Sequence, residues 1–178
     1  GVGLNVVQGL RLAGASRIVA VDLMASREEN ARRFGATDFI DASSEDAPAR
    51  IRDLLADPLK PQTGGADWTF ECAGSVAALK NAIASLAWGG NCVIVGMPSF
   101  DSTVEIPVFP LLSVDRGVLG ARYGSSRPHR DIPAYLALYA NGGLMLDELV
   151  TRRYRLEEFE QAFHDLETGK LARGVFVY

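Results

Sequence analysis

The chain has 178 residues, 48 % hydrophobic and 22 % charged, with a formal net charge of −4. That length suits one core-forming domain; the balance excludes disorder and a surface drawn to nucleic acid by global charge, and no apolar run nears the ~20 residues of a membrane span. Cys72 and Cys92 sit in apolar, strand-like runs and read as core thiols of a reducing, cytoplasmic compartment, and with two histidines and no CxxC pattern there is no metal constellation.

Gly1-Val2-Gly3 opens a helical run with apolar residues at Leu4, Val7, Leu10 and Leu12 and a stop at Gly14. A β-branched run over residues 18–21 follows and ends on Asp22. Helix, tight loop, buried strand and a carboxylate at the strand's carboxyl end make the second half of a dinucleotide-binding βαβ unit. Glycine at the helix start removes the Cβ that would block a pyrophosphate, and the helix N-terminus offers N–H groups and positive potential to that anion. Asp22, roughly 20 residues on, is placed to accept hydrogen bonds from the adenosine ribose hydroxyls. The match is partial, because Gly3 stands as the third glycine of a fingerprint whose strand and earlier glycines are missing. Any doubly wound domain can show the same pattern.

Further along, Ser26 to Glu29 spells a capping box opening a helix that ends at Gly35. Residues 37–41 read as a strand, 46–57 as a helix closed by Pro58, 61–65 as a loop, and 66–71 as a strand followed by the turn Cys72-Ala73-Gly74. An Ala-rich helix over 76–86 stops near Gly89-Gly90, a buried strand spans 91–95, and Gly96-Met97-Pro98 breaks it. This alternation predicts parallel strands with right-handed crossovers, and the low polarity of 18–21 and 93–95 predicts strands covered on both faces. Beyond Ser99 the pattern gives a strand at 104–106, a short helix at 107–113, a strand at 116–123, a polar basic loop at 125–131, and a helix at 132–140. A strand at 149–154, a helix at 156–168 and a strand at 174–178 complete the chain. The 156–168 helix carries Leu156, Phe159, Phe163 and Leu166 on one stripe with charge opposite, and Gly169 caps it.

The segments GVGLNVVQGLRLAGASRIVAVD, RRFGATDFID, GGADWTFECAG, NCVIVGMP, YGS, LDELVTRRYRLEEFEQAF and ARGVFVY together resemble the C-terminal, NAD-binding half of zinc-type medium-chain alcohol dehydrogenases, over essentially the whole chain. The resemblance implies an α/β fold: a Rossmann-like doubly wound parallel sheet lacking its first strand over residues 1–122, including a dimerisation strand at 117–121. Residues 123–178 would be a helix–strand segment returning to the family's catalytic domain. It implies NAD as cofactor, with Gly1 and Gly3 in the pyrophosphate loop, Asp22 holding the ribose and repelling a 2′-phosphate, and Arg27 beside the same ribose. Val95, Gly96 and Met97 would border the nicotinamide, Ala121 and Arg122 would approach it through backbone, and Arg173 would reach the pyrophosphate.

The residues also carry plainer readings. Arg27 fits a solvated first-turn residue, Gly96-Met97-Pro98 an ordinary strand-ending turn, and Arg173 a surface arginine. Glu157, Glu158, Glu160, Asp165 and Glu167 read as a solvated helix face and His164 as surface. His129 with Arg127 and Arg130 could attract an anion, but a polar loop is the simpler reading.

The resemblance places the zinc ligands, and with them catalysis, outside this chain, so no catalytic or metal-binding residue is assigned. The parent would oxidise a small alcohol to an aldehyde or ketone by hydride transfer to NAD, with this portion inactive alone. With the central strand missing, the two half-sheets would close directly, borrow a strand or leave apolar edges. The expectation is a homodimer or larger assembly, without nucleic-acid or membrane partners. Two alternatives remain: a non-catalytic dimerising Rossmann module, and a zinc-free NADP-dependent quinone or enoyl reductase, which the acid at Asp22 disfavours.

Overall fold

The structure is a computed structural model describing residues 1–60, 63–169 and 171–178. The expected loop at 61–65 therefore lies partly outside the described residues. The chain divides into two units, Val2–Ser126 and Arg127–Tyr178, the second including Gly1.

In the first unit helices and strands alternate: α1 (Val2–Leu12), β1 (Val19–Asp22), α2 (Glu28–Phe34), β2 (Asp38–Asp41), α3 (Ala47–Leu54), β3 (Ala66–Glu71), α4 (Val76–Ala84), β4 (Leu86–Ile94), α5 (Val108–Leu112) and β5 (Gly117–Gly120). β1 pairs with β2, β3 with β4, and β4 with β5, all parallel, as the alternation predicts. Among the described residues no ladder joins β1 to β3, so the two half-sheets do not close on each other. Each half has its own core. Ile40, Ala47 and Ile51 pack with Val19 and Leu55 in one, which Ala66 of β3 joins from the other half. Leu79, Ile83, Leu86 and Cys92 gather in the other, with Val104, Ile106, Leu111 and Val118 against them.

Arg17 ties the first half together. Its Nε and Nη2 donate to the two Asp38 carboxylate oxygens at 2.9 and 3.0 Å, and its Nη1 donates to the Leu54 carbonyl at 2.8 Å, completing the C-terminus of α3. Those Arg17 bonds, helped by the Thr37 hydroxyl, hold the Asp38 carboxyl down at about 2. Asp46 and Ser75 cap α3 and α4 by accepting from Ala49 and Ala78, and Gly35, at φ 120°, ends α2.

Several expectations need correction. Ser26 is no cap: residues Ala25–Arg27 form a 3₁₀ turn, and α2 starts only at Glu28, because the Asp22 carboxylate takes the Met24 N–H and starts the turn earlier. Leu86 begins β4 rather than ending α4, pairing with Ala66 ahead of a register shift. The strand expected at 104–106 is irregular, and its side chains serve the core instead. The strand at 116–123 shortens to Gly117–Gly120. Strand coverage is also lower than expected: Val21 keeps 43 % exposure, and Val93 and Val95 are half-buried.

Residues Tyr123–Ser125 form a left-handed 3₁₀ turn, with Tyr123, Gly124 and Ser125 at φ 50°, 64° and 53°. The second unit contains α6 (Pro128–Ala140), β6 (Arg152–Tyr154), α7 (Phe159–Glu167) and β7 (Gly174–Phe176). The loop expected at 125–131 is already helix from Pro128. Proline fits the first helical position, and the Asp131 carboxylate accepts from the Arg127 N–H at 2.6 Å. β6 and β7 pair in parallel. Leu156, Phe159, Phe163 and Leu166, expected as the inward stripe, are 51–61 % exposed. The buried face of α7 is instead Ala162 and Asp165, the latter 4 % exposed. Asp165, read as solvated, accepts from Arg152 Nη1 (2.8 Å), Tyr154 Oη (2.8 Å) and Gln161 Nε2 (2.9 Å), which turns this polar edge inward.

Candidate nucleotide-binding site

Ligands of open α/β sheets bind outside the carboxyl ends of the strands, where backbone groups and helix N-termini are free to face them. Four strand ends and one helix start concern the expected site in the first unit.

Gly3 lies in the first turn of α1, which holds no acidic residue. A Cβ on Gly3 would stand 3.9 Å from the Cys72 Cβ, so the start of α1 lies against the turn after β3. Burial, and the adjacent Glu71 charge, push the Cys72 thiol up to about 11. Gly1 groups with the second unit, where a Cβ would come 2.9 Å from the Ala172 carbonyl oxygen. Close backbone approach is a reason for glycine there.

Asp22 is the last residue of β1. Its Oδ1 accepts from the Met24 N–H at 3.1 Å, and its Oδ2 accepts from Arg27 Nη1 at 2.8 Å. The structure thus brings Asp22 and Arg27 together as an ion pair, and the carboxylate is fixed from both sides while each oxygen keeps a lone pair.

Past β3 and β4 the two turns meet. The Glu71 carbonyl accepts from the N–H groups of Val95 (2.9 Å) and Gly96 (2.8 Å). A Cβ on Gly74 would sit 2.6 Å from the Met97 carbonyl oxygen, and one on Gly96 would collide with the Gly74 amide nitrogen, so only glycines permit this approach. Val95 and Gly96 are half-buried and Met97 is exposed. After β5, the Ala121 N–H extends the ladder to the Ile94 carbonyl at 3.0 Å, and the exposed Arg122 guanidinium lies 5.9 Å over the Tyr123 ring. Arg173 belongs to the second unit. Its carbonyl accepts from the Thr151 N–H and hydroxyl, while its exposed guanidinium has no hydrogen-bond or ion-pair partner among the described residues.

One polar group at these strand ends was given no role from the sequence. Glu71 is 3 % exposed, and its Oε1 accepts from the N–H groups of Ala73 (2.8 Å) and Ser75 (3.3 Å). The available signal was a carboxylate at the end of β3, following Phe70 and directly preceding Cys-Ala-Gly. A cavity of ≈ 40 Å³ behind the two turns, lined by Glu71, Gly74, Ser75, Pro98 and Ser102 among others, is far too small for a dinucleotide. A second depression, of ≈ 400 Å³, lies between α4 and residues 105–116, toward the amino end of β5. Among the described residues no three His, Cys, Asp or Glu side chains gather where they could hold a metal ion.

A parallel doubly wound sheet with a glycine at a helix start and an acid ending the next strand defines the Rossmann class of nucleotide-binding folds. The family described as "Zinc-binding dehydrogenase" matches residues 1–141, and the chain belongs to that family. It is 33 % identical to the class-3 alcohol dehydrogenase of Cereibacter sphaeroides, over 100 % of this chain and 48 % of that protein. It is 38 % identical to the putative alcohol dehydrogenase D of Mycobacterium tuberculosis, over 100 % of this chain and 47 % of that one. The chain spans about half the length of the curated relatives it matches. The crystal structure of benzyl alcohol dehydrogenase from Acinetobacter calcoaceticus superimposes with a TM-score of 0.90 at 31 % identity, covering 99 % of this chain and 47 % of that one. A putative zinc-binding dehydrogenase from Sinorhizobium meliloti, solved bound to NADP, superimposes with a TM-score of 0.76 at 31 % identity, over 90 % of this chain and 44 % of that one.

Proposed function

We propose that this chain is the cofactor-holding portion of an NAD-dependent, zinc-type alcohol dehydrogenase. The bound nicotinamide supplies hydride acceptance. The chain's own part is to hold and orient it. The start of α1, with Gly3, takes the pyrophosphate by its N–H groups and positive end. Asp22 takes the ribose hydroxyls, Arg27 steadies that carboxylate, and the turn Val95-Gly96-Met97 with Ala121 and Arg122 borders the nicotinamide. Gly1 and Arg173, expected at the pyrophosphate, belong to the second unit. The observation that carries this reading is the anchored carboxylate of Asp22 at the end of β1.

Among the described residues no His, Cys, Asp and Glu side chains gather into the donor set that a zinc ion needs. In the reading proposed, zinc and the alcohol belong with sequence other than this chain's, and the substrates are small alcohols oxidised to aldehydes or ketones. The proposed assembly is a homodimer or larger, with the free edge of β5 pairing to a second copy. Its support is that β5 ends its sheet among the described residues with Leu119 exposed on it, and that Val108, Phe109 and Leu112 on α5 are exposed apolar side chains.

NADP use by a zinc-free reductase is the second reading. Arg27 beside Asp22 favours it, since a guanidinium there can receive a 2′-phosphate. Fluorescence titration with NADH and NADPH separates the two. The proposed reading expects NADH to bind about tenfold or more tighter, because a phosphate beside the carboxylate is repelled by several kcal/mol before Arg27 offsets part of it. Equal or tighter NADPH binding overturns it.

A further inference from the structure

Resting on that cofactor reading, we infer that Glu71 is a positioning residue of the cleft: it clasps the turn after β3 to the turn after β4, and so sets the wall that borders the nicotinamide. The inference starts from a buried carboxylate where a strand ends. A parallel ladder stops serving the backbone once the chain turns, so the N–H groups of the turn need acceptors. Glu71 provides them twice over. Its side chain accepts from Ala73 and Ser75, folding the turn 72–75 back on its own strand. Its main-chain carbonyl accepts from Val95 and Gly96, fixing where the second turn departs. One residue therefore receives four backbone N–H groups from two turns.

The rest of the local sequence is consistent with such a clasp. Gly74 and Gly96 allow the two backbones to touch, and Gly74 adopts φ 71°, which suits glycine. A Cβ on Gly96 would also fall 2.5 Å from Glu71 Oε2, so the carboxylate fills the space behind that glycine. Ser75, held through its N–H, in turn caps α4 by accepting from Ala78 at 3.5 Å. An apolar residue at position 71 would leave the N–H groups of Ala73 and Ser75 without that acceptor and the turn without its tie to the strand. Glutamine, whose side-chain oxygen reaches equally far, would keep it.

The test compares Glu71→Ala, Glu71→Gln and Gly96→Ala in the whole chain, by amide hydrogen exchange and by NADH titration. Glu71→Ala is expected to speed exchange at Ala73 and Ser75 about tenfold or more, with the β1–β2 amides unchanged as a control for global folding. NADH affinity should fall about fivefold or more, and Glu71→Gln should restore both readouts to within about twofold. Gly96→Ala should speed exchange at Ala73 and Ser75 with the carboxylate intact. Unchanged protection in Glu71→Ala, equal damage in Glu71→Gln, or lost protection with unchanged NADH affinity each overturns the inference. Failure of the unmutated chain to bind NADH instead overturns the cofactor reading, a distinct result.

Discussion

Replacing Asp165 should loosen the second unit more than any exposed acid of α7. The carboxylate is 4 % exposed and, among the described residues, accepts from Arg152, Tyr154 and Gln161. Asp165→Ala removes all three acceptances, but the consequences differ. Arg152 keeps 45 % of its side chain in water and Gln161 is exposed, so their freed donors rehydrate at about 0.5–1 kcal/mol each. Tyr154 is 1 % exposed, and its hydroxyl would be left dry at about 1–3 kcal/mol. The expected loss is about 3 kcal/mol in total, within the range for breaking a buried charge pair. Asp165→Asn keeps one carbonyl oxygen for Tyr154 and should cost about half as much. The assay is native-state exchange at two amides that report β6–β7, Val177 (to the Tyr154 carbonyl) and Thr151 (to the Arg173 carbonyl). A loss below about 0.5 kcal/mol in Asp165→Ala, or equal losses in both variants, would refute the assignment of Asp165 as the keystone of that unit.

The Asp38 carboxyl, held at about 2 against an ordinary 3.8, stabilises the fold above its unfolded value, and that contribution disappears as pH falls toward 2. Because the pair is partly solvated, Asp38→Asn should cost about 1 kcal/mol at pH 7 by urea unfolding, and the gap from the unmutated chain should close by about pH 2. Both tryptophans, Trp68 and Trp88, lie in the same unit and report that transition; a gap independent of pH contradicts the assignment. Thiol labelling at pH 8 should be slow in the native chain at both cysteines. Burial raises both thiols, Cys72 to about 11, and Cys92 is fully buried. Rapid native labelling would contradict this, and labelling should become fast in urea.

The alternating elements and their parallel pairing were legible because each short apolar run is bounded by glycine, proline or a cap that acts locally. Gly35, read as the end of α2, acts within one turn of its own position, and such a signal survives in sequence. What failed depended on partners distant in the chain. Ser26 lost its cap to a carboxylate at the end of the preceding strand. The α7 stripe pointed outward because Asp165 found Arg152 and Tyr154 on another element. At the site, Asp22 was legible from its spacing after the glycine, and Arg27 reaches it from five positions on, through the 3₁₀ turn. Glu71 was not, since nothing in a lone glutamate at a strand's end announces that two turns will close over it.

The most direct test of the cofactor assignment is a parallel titration of the unmutated chain and Asp22→Ala with NADH and NADPH. The unmutated chain should prefer NADH about tenfold or more, and Asp22→Ala should lose this preference chiefly by weaker NADH binding. An Asp22→Ala chain that still discriminates as before, or an unmutated chain that binds neither nucleotide, would contradict it.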